Sequence, residues 1–214
     1  MATPETVFYS IARNVAACFF GTIFRQETYG ASRIPNSGPV IIASNHVSLF
    51  DPPMIGYPVF RPLFFLARRS LFDSPLASWL FLKLNGIPVD REGADTGAIK
   101  RALAVLRRED SLLLFPEGTR TRDGSLGSAK PGVGLIACRK AVPVVPVRVF
   151  GAYQAWGRHT RYPRLHHDFT VVFGHPIFPT QYDPGKGHEN RYQIASDRIM
   201  DAIRDLAIPV EPVT

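Results

Sequence analysis

Short apolar runs alternate along the chain with longer stretches of helical periodicity. Six runs have the length and apolar character of strands, at residues 40–43, 62–67, 87–90, 112–115, 144–150 and 169–173. Four stretches carry apolar positions at helical spacing, at residues 75–84, 96–108, 134–140 and 190–206. Strands that alternate with helices predict an α/β fold, here a single layered domain with a mostly buried mixed sheet flanked by helices.

The first apolar stretch, residues 7–24, is predicted to form an amphipathic helix. Its apolar positions recur at helical spacing, at Phe8, Ile11, Val15, Phe19 and Ile23. A membrane-spanning helix needs about 20 mostly apolar residues with few charges, and Arg13 and Asn14 interrupt this stretch in the middle. We therefore expect the helix either to pack on the domain's core or to lie in the interface of a bilayer.

Composition narrows the choice of partners. Lys and Arg number 25 against 18 Asp and Glu, so the formal net charge is +7. A basic chain favours anionic partners, such as nucleic acid, anionic lipid headgroups or phosphorylated small molecules, although a merely basic, solvated surface is the plainer interpretation of most of these charges. The two cysteines, Cys18 and Cys138, lie in apolar stretches and are expected to be buried free thiols of a reducing compartment.

A histidine and an aspartate follow the first predicted strand. The strand at residues 40–43 leads into His46, and Asp51 follows five positions later. On a regular helix this spacing would set the two side chains well apart, so they meet only across a turn. A carboxylate beside an imidazole fixes its tautomer and lets the other ring nitrogen remove a proton. The alternative, Asp51 as a helix cap and His46 as a satisfied strand-end residue, stays open at this point.

A second polar segment follows the strand at residues 112–115. It reads Phe-Pro-Glu-Gly-Thr-Arg over residues 115–120. Ligands of α/β sheets bind at strand ends. Gly118 permits close approach of backbone N–H groups to an oxyanion or phosphate, Thr119 offers a hydroxyl, and Arg120 offers a forked cation suited to phosphate. A solvated polar loop is the alternative.

These segments resemble the motifs of the glycerophospholipid acyltransferase family, whose best-known members acylate lysophosphatidic acid. The motif NHxSxxD is met at Asn45, His46, Ser48 and Asp51. The motif FPEGTRS is met over residues 115–120, with Thr121 in place of the final serine. An apolar run that ends in Arg91 and a VPxxPV segment at residues 142–147 complete the set in order. The prolines of the last segment suit an edge strand or a strand entrance, so it is interpreted as scaffold.

The resemblance implies roles for each matched position. His46 and Asp51 would be the catalytic pair, and Asn45 and Ser48 would support them. The phosphorylated acceptor would be bound by Arg91, Glu117, Gly118, Thr119 and Arg120. The implied reaction moves a fatty acyl group from acyl-CoA or acyl-carrier protein to a lysophospholipid hydroxyl, foremost that of 1-acyl-glycerol-3-phosphate, with no cofactor and no metal. Because no G-x-S-x-G elbow occurs, direct transfer with His46 as general base is the simpler mechanism.

On this interpretation residues 1–28 form a membrane-associated helix, residues 29–207 the acyltransferase domain and residues 208–214 a tail. The enzyme would work as a peripheral or monotopic protein at the cytoplasmic face of the cell membrane, with lipid and thioester substrates, the membrane surface and acyl-carrier protein as partners and no nucleic acid. Two alternatives stay open. The acceptor is another lipid, such as an ornithine lipid, or the chain is a non-catalytic basic module that binds lipid or nucleic acid.

Other features are given plain interpretations. Trp79 and Phe81, within the helix at residues 75–84, are expected in the core rather than in an acyl-binding groove. The histidines His159, His166, His167 and His175 show no paired ligand spacing that would indicate a metal site. The basic and aromatic residues 151–168 are expected to form a long loop.

Overall fold

A seven-stranded mixed sheet forms the centre of the computed structural model, which describes residues 4–90, 96–165 and 167–209. The strands follow the order β1-β7-β6-β2-β5-β3-β4, and all neighbours are parallel except β6 and β7. Their bounds are β1 Glu27–Tyr29, β2 Val40–Ser44, β3 Leu63–Arg68, β4 Gly86–Val89, β5 Ser111–Leu114, β6 Val144–Phe150 and β7 Thr170–Phe173. The predicted α/β class and mixed sheet are confirmed.

Helices cover both faces of this sheet. Their bounds are α1 Pro4–Ile23, α2 Asp51–Gly56, α3 Pro75–Lys83, α4 Thr96–Arg107, α5 Pro131–Lys140, α6 Ala152–Trp156, α7 Pro179–Tyr182 and α8 Arg191–Arg204, with 3-10 turns at Ala31–Arg33 and Arg69–Phe72. Alternate residues of β2 enter two separate cores: Ile41 and Ala43 pack beneath α4, α5 and α8, while Val40 and Ile42 pack beneath α1, α2 and α6. The strand is therefore apolar from Val40 to Ala43 because both of its faces are buried.

Helix α1 is apolar on two sides. Phe20 and Phe24 are 2% and 0% exposed and join the core, whereas Ile11 and Val15 are 56% and 62% exposed. The predicted single apolar face, shared by Ile11 and Val15 with Phe19, is therefore split between core and surface. Cys18 lies on the exposed side, so the prediction of two buried thiols is wrong for Cys18 and right for Cys138. Among the helices described, none has the length and apolar character needed to cross a bilayer.

Two other local predictions are corrected. Strand β6 lies inside the sheet between β7 and β2, although its Pro146 suggested an edge or an entrance. The Pro146 carbonyl accepts a hydrogen bond from the Gly174 N–H at 2.8 Å. The N–H and C=O of one residue point to the same side of a strand, so the N–H that Pro146 lacks would point toward β7. The paired residues of β6 and β7 begin only at Val147, and β7 itself ends at Phe173. The missing N–H therefore falls beyond the end of β7. The segment 151–168 contains helix α6 and is not a continuous loop.

Candidate active site

Two polar segments meet because β2 and β5 are parallel neighbours in the sheet. Val40 to Ala43 pair in register with Ser111 to Leu114, so the carboxyl ends of both strands lie at the same edge. His46 follows β2, and Glu117 follows β5. The sequence places these segments about 70 positions apart, and the sheet order brings them together.

A direct hydrogen bond joins the predicted catalytic pair. His46 Nδ1 lies 2.7 Å from Asp51 Oδ2, and Asp51 is fully buried. The same carboxylate oxygen accepts hydrogen bonds from the backbone N–H groups of Val47 and Ser48 at 2.7 and 2.8 Å. An ionised carboxylate only accepts, so His46 carries its proton on Nδ1 and its Nε2 is the nitrogen able to take up another proton. The spacing therefore forms a turn, as the catalytic interpretation requires.

The loop after β5 holds His46 from several directions. Its Glu117 Oε1 accepts a hydrogen bond from the His46 N–H at 2.9 Å, and the Thr121 N–H donates to the His46 carbonyl at 2.9 Å. The Phe115 ring stacks on the imidazole, with centroids 4.0 Å apart and planes 17° from parallel. The imidazole is therefore fixed through its backbone, its Nδ1 and one ring face.

Glu117 is occupied by the protein backbone. Its side chain is 5% exposed, and its second oxygen, Oε2, accepts a hydrogen bond from the Gly127 N–H at 3.0 Å. Burial raises the pKa of the Glu117 carboxyl, while the bonds from the His46 and Gly127 N–H groups oppose that rise. The predicted role of Glu117 in binding an acceptor therefore competes with two backbone hydrogen bonds that it already accepts.

Asn45 and Ser48 tie the turn to neighbouring elements. The Asn45 side chain exchanges two hydrogen bonds with the backbone of Val149 in β6, at 3.1 and 2.8 Å. Ser48 Oγ donates to the Trp156 carbonyl at 3.0 Å and accepts from the Phe50 N–H at 3.1 Å. Both side chains thus connect the segment that carries His46 and Asp51 to β6 and to the end of α6.

Gly118 adopts a backbone conformation that favours glycine. Its φ is +68°, and a Cβ at this position would come within 3.1 Å of the Lys130 side chain. Its N–H donates to the Phe115 carbonyl at 3.0 Å and closes a turn. The N–H of Gly118 itself is therefore engaged within this turn, and the predicted role of Gly118 in binding the acceptor stays a prediction.

An apolar cavity of about 540 Å³ adjoins the His–Asp pair. Its wall includes His46, Phe115 and Arg120 together with small and apolar side chains from α1, α2, β3 and α3: Ala12, Ala16, Pro53, Gly56, Leu63, Phe65, Phe81 and Leu84. Phe81 thus lines the cavity, whereas Trp79 is 49% exposed, so neither is a simple core residue as predicted. The volume of this cavity lies within the roughly 300–1,000 Å³ typical of small-molecule sites.

A second, polar hollow of about 360 Å³ lies on the other side of Arg120. Its lining residues are Glu117, Thr119, Arg120, Thr121, Arg122, Asp123, Ser125, Gly127, Ser128 and Arg158. Arg120 is shared by the linings of the cavity and the hollow. Burial lowers the pKa of its half-buried guanidinium, the carboxylate of Asp51 opposes this, and the charge of Arg158 adds to it.

Several of these residues carry little signal in the sequence, and Arg91 lies outside the described residues. The predicted role of Arg91 is therefore not addressed by the structure. Arg158 lies in the stretch predicted as a long loop, residues 151–168, whose cluster of arginines was a usable signal of an anion-binding surface. Phe115 was read only as part of a motif, and nothing in the sequence indicated that its ring covers His46. Among the described residues, no three His, Cys, Asp or Glu side chains come together in a way that could hold a metal ion.

Comparison with known proteins agrees with this arrangement. A family model described as Acyltransferase matches residues 25–150, more than half of the chain. The matched range includes His46, Asp51 and the whole segment from Phe115 to Thr121. The chain belongs to the acyltransferase family.

Relatives and one solved structure add detail. The chain is 27% identical over 176 residues to a chloroplastic 1-acyl-sn-glycerol-3-phosphate acyltransferase of Brassica napus, covering 81% of this chain and 51% of that protein. It is 36% identical over 112 residues to a lyso-ornithine lipid O-acyltransferase of Pseudomonas aeruginosa, covering 52% of this chain and 43% of that protein. The chain spans about half the length of such curated relatives. The fold is that of PlsC, the 1-acyl-sn-glycerophosphate acyltransferase of Thermotoga maritima, with a TM-score of 0.71 at 23% identity over 96% of this chain and 81% of that one.

Proposed function

We propose that this chain is an O-acyltransferase that moves a fatty acyl group from an acyl thioester to a lysophospholipid hydroxyl. The observation that carries the proposal is the His46–Asp51 pair, bonded at 2.7 Å in the wall of an apolar cavity. A thioester of coenzyme A or of acyl-carrier protein would supply the acyl group, whose chain suits the apolar walls at about 0.8 kcal/mol per buried methylene.

The proposed mechanism needs one base and a means of stabilising an oxyanion. Nε2 of His46 takes the proton of the acceptor hydroxyl as its oxygen attacks the thioester carbonyl. Asp51 stabilises the imidazolium that forms. The tetrahedral intermediate then collapses, the C–S bond breaks, and the departing thiolate takes the proton from His46. One C–O bond forms and one C–S bond breaks without oxidation or reduction, so the reaction calls for no redox cofactor.

For the acceptor we propose 1-acyl-glycerol-3-phosphate, giving phosphatidic acid. A half-buried guanidinium at Arg120, between the cavity and the polar hollow, suits a phosphate group. The names of the plant and bacterial relatives point the same way. The second candidate is a lyso-ornithine lipid, which the similarity to the Pseudomonas aeruginosa enzyme favours.

A membrane surface is the proposed place of action, and its cytoplasmic face is the proposed side. We define the α1–α3 apolar face by its exposed side chains, Val7, Ile11, Val15, Leu76, Trp79, Leu80 and Leu82. The two helices touch through Phe8 and Trp79, whose rings lie edge to face at 5.2 Å. Helix α1 also lines the cavity, and the net charge of +7 suits anionic lipid. Residues 1–28 are thus proposed as the membrane-associated segment of the acyltransferase domain that follows.

Product analysis tests the reaction and its base together. The purified chain is incubated with lysophosphatidic acid, lyso-ornithine lipid and uncharged monoacylglycerol, each with acyl-CoA and with acyl-carrier protein, and products are identified by mass spectrometry. We expect phosphatidic acid from the first acceptor, and its loss in His46→Ala. His159→Ala, which removes an exposed histidine away from Asp51, is the matched control. Wild-type turnover by folded His46→Ala would refute the base assignment, and acylation of lyso-ornithine lipid alone would replace the proposed acceptor.

A further inference from the structure

We propose that Arg158 completes, with Arg120 and Arg122, an anion site in the polar hollow, and that this site selects acceptors that carry a phosphate dianion. Arg158 comes from the segment after α6, outside the four sequence motifs. The inference rests on the proposed function, because it names the residue that discriminates among the acceptors of that reaction.

The charges of the hollow favour an anionic ligand. The guanidinium groups of Arg120, Arg122 and Arg158 line it together. In the part of the chain that the structure describes, none of the three forms an ion pair or a side-chain hydrogen bond. Like charges repel one another, and the charge of Arg158 contributes to the lowered pKa of Arg120, although the carboxylate of Asp51 opposes that lowering. An anion placed between them removes that repulsion.

The carboxylates of the hollow are engaged elsewhere. Asp123 accepts hydrogen bonds from the Ser125 hydroxyl at 2.6 Å, from the Ser125 N–H at 3.0 Å and from the Thr121 hydroxyl at 3.1 Å. These bonds, those from Ser125 first, lower the pKa of Asp123 to about 2. Glu117 accepts hydrogen bonds from backbone N–H groups with both oxygens. Neither acid is therefore positioned as a partner for the arginines.

The backbone that leads to Arg158 is anchored to the catalytic turn. The Trp156 carbonyl accepts the hydrogen bond from Ser48 Oγ, and the Trp156 ring packs edge to face on Phe50 at 4.8 Å. At Gly157 a Cβ would come within 2.8 Å of the Tyr153 carbonyl oxygen, so the chain passes too close for a side chain. Arg158 is thus held at a set place relative to the His–Asp turn, although its side chain is exposed.

The hollow matches a phosphate monoester better than a zwitterionic headgroup. At neutral pH such a group carries about −1.5 to −2 charges and three strong acceptor oxygens. Each guanidinium offers a planar fork of donors, so three arginines can bind three oxygens. An ornithine headgroup would bring an ammonium group near the same arginines. Because Arg120 also lines the cavity, an anion held here lies beside the wall that carries His46.

The test compares Arg158→Gln with Arg161→Gln in the intact chain. Arg161 lies in the same segment, over the Tyr162 ring and outside the hollow, so its variant controls for charge loss. We expect Arg158→Gln to raise KM for 1-acyl-glycerol-3-phosphate by about 10-fold or more, since hydrogen bonds between charged groups are lost. We expect unchanged KM for 1-acylglycerol, which lacks the phosphate, and wild-type values for Arg161→Gln. Unchanged KM for both acceptors, or an equal rise for both, would overturn the proposal.

A binding experiment separates this proposal from the proposed function. Calorimetric titration with glycerol 3-phosphate requires no turnover, so it reports on the anion site alone. We expect binding to wild type and to Arg161→Gln, and binding at least 10-fold weaker to Arg158→Gln. If no acceptor is acylated but this pattern holds, the proposed function fails and the anion site stands. Equal binding by all three proteins, or none by wild type, rejects the anion site whatever the turnover.

A separate observation concerns Glu117, which we infer to be a positioning residue rather than an acceptor-binding one. One of its oxygens accepts from the His46 N–H and the other from the Gly127 N–H, at 2.9 and 3.0 Å. The carboxylate thus connects the turn that carries His46 to the loop segment at Gly127. Both oxygens are therefore taken up by backbone N–H donors, and neither is left to accept a hydrogen bond from an acceptor lipid.

The kinetic signature distinguishes the two roles. The glutamine side chain of Glu117→Gln has one oxygen and one NH₂ group, so it can accept from only one of the two backbone N–H donors. The other hydrogen bond is lost, and His46 moves. We expect kcat to fall by about 10-fold on phosphorylated and unphosphorylated acceptors alike, with KM unchanged, and the proton resonance of His46 Nδ1 to shift. Glu189→Gln, an exposed substitution, should match wild type. A rise in KM for the phosphorylated acceptor alone, or unchanged kcat with an unshifted resonance, would reject the inference.

Discussion

The candidate active site around His46 and Asp51 and the α1–α3 apolar face are both unusual in which side chains they bury, and in opposite ways. At the site, polar groups are buried: Asp51 is fully enclosed, and three donors share one of its oxygens. On the face, large apolar groups are exposed, and Leu76 reaches 76% exposure. Burial of a carboxylate is costly unless it is hydrogen-bonded, whereas exposure of apolar groups is costly only in water. In the first region the chain itself satisfies Oδ2 of Asp51, although the buried Oδ1 accepts no hydrogen bond, and the second region calls for an apolar neighbour outside the chain.

Helix α1 connects the two regions. Tyr9, Ala12 and Ala16 turn toward the cavity, and the Tyr9 hydroxyl accepts a hydrogen bond from the Leu63 N–H at 3.2 Å. Val7, Ile11 and Val15 point outward from the same helix. Because Phe20 and Phe24 anchor its end in the core, deleting the helix would damage the domain itself. Point substitutions are therefore the proper way to test each side.

The largest effect is expected at the buried site. Asp51→Asn removes the negative charge that stabilises the imidazolium of His46, so kcat should fall by about 10²–10⁴-fold, the range of general-base catalysis. Steady-state turnover with a saturating thioester measures it. Asp73→Asn, at an exposed aspartate, should keep wild-type kcat. A near-normal kcat in folded Asp51→Asn would mean that His46 does not need its partner.

The cavity that lies between the two regions should set the preferred acyl chain. Gly56 lines it, and a Cβ there would make only ordinary contact with Leu63 at 3.8 Å, so Gly56→Leu fills the space. Each excluded methylene forfeits about 0.8 kcal/mol, which is roughly a fourfold loss of kcat/KM per methylene, so exclusion of two or more lowers kcat/KM by more than about tenfold for the longest chains and spares the short ones. A series of acyl-CoA donors from C8 to C18 measures the shift. Gly132→Leu, at an open position of α5, is the control, and an unchanged chain-length profile in Gly56→Leu would argue against acyl binding in this cavity.

A smaller effect is expected on the exposed side. Val15→Glu places a charge on the α1–α3 apolar face, and losing the burial of one valine weakens vesicle binding by about tenfold. Co-sedimentation with anionic phospholipid vesicles measures it, with turnover on detergent-dispersed substrate as the check on folding. Phe178→Glu alters an apolar residue that is 52% exposed on another part of the surface and should bind normally. Equal loss in both variants would assign vesicle binding to charge rather than to this face.

The smallest effect concerns stability and pH. Burial raises the pKa of Glu117 above its ordinary value of 4.5, so the folded state holds the proton more tightly than the unfolded state. This contribution is fully present below the ordinary value and is lost as pH rises through the raised one. Glu117→Gln lacks this titration. The free energy of unfolding of the variant, relative to that of wild type, should therefore increase as the pH rises above about 4. Denaturant unfolding at several pH values measures the difference, and a pH-independent difference would contradict the raised pKa.

The local sequence pattern was enough to predict the class of fold, and the resemblance of the motifs singled out His46 and Asp51 as a pair. Periodicity marks β2 and β5 as buried strands and α4 and α8 as helices, because both depend on neighbours only a few positions away. The turn between His46 and Asp51 is equally local, since five positions and a proline restrict what the backbone can do. The N-terminal cap of α3 is local in the same way, because Ser74 Oγ accepts a hydrogen bond from the Ala77 N–H three positions later, at 3.2 Å.

Other features depended on which strands are neighbours. Only the β2–β5 pairing brings Glu117 onto the His46 backbone, and only the path of the chain after α6 brings Arg158 beside Arg120. Pro146 is tolerated inside the sheet because β7 ends beside it, and Phe81 lines the cavity because α3 packs beside α1. Such contacts join residues far apart in sequence, and hydrophobic periodicity does not predict them. The hydrogen-bonded pair of His46 and Asp51 was therefore predictable from the motifs in the chain, while the contacts that hold the pair in place were decided by tertiary structure.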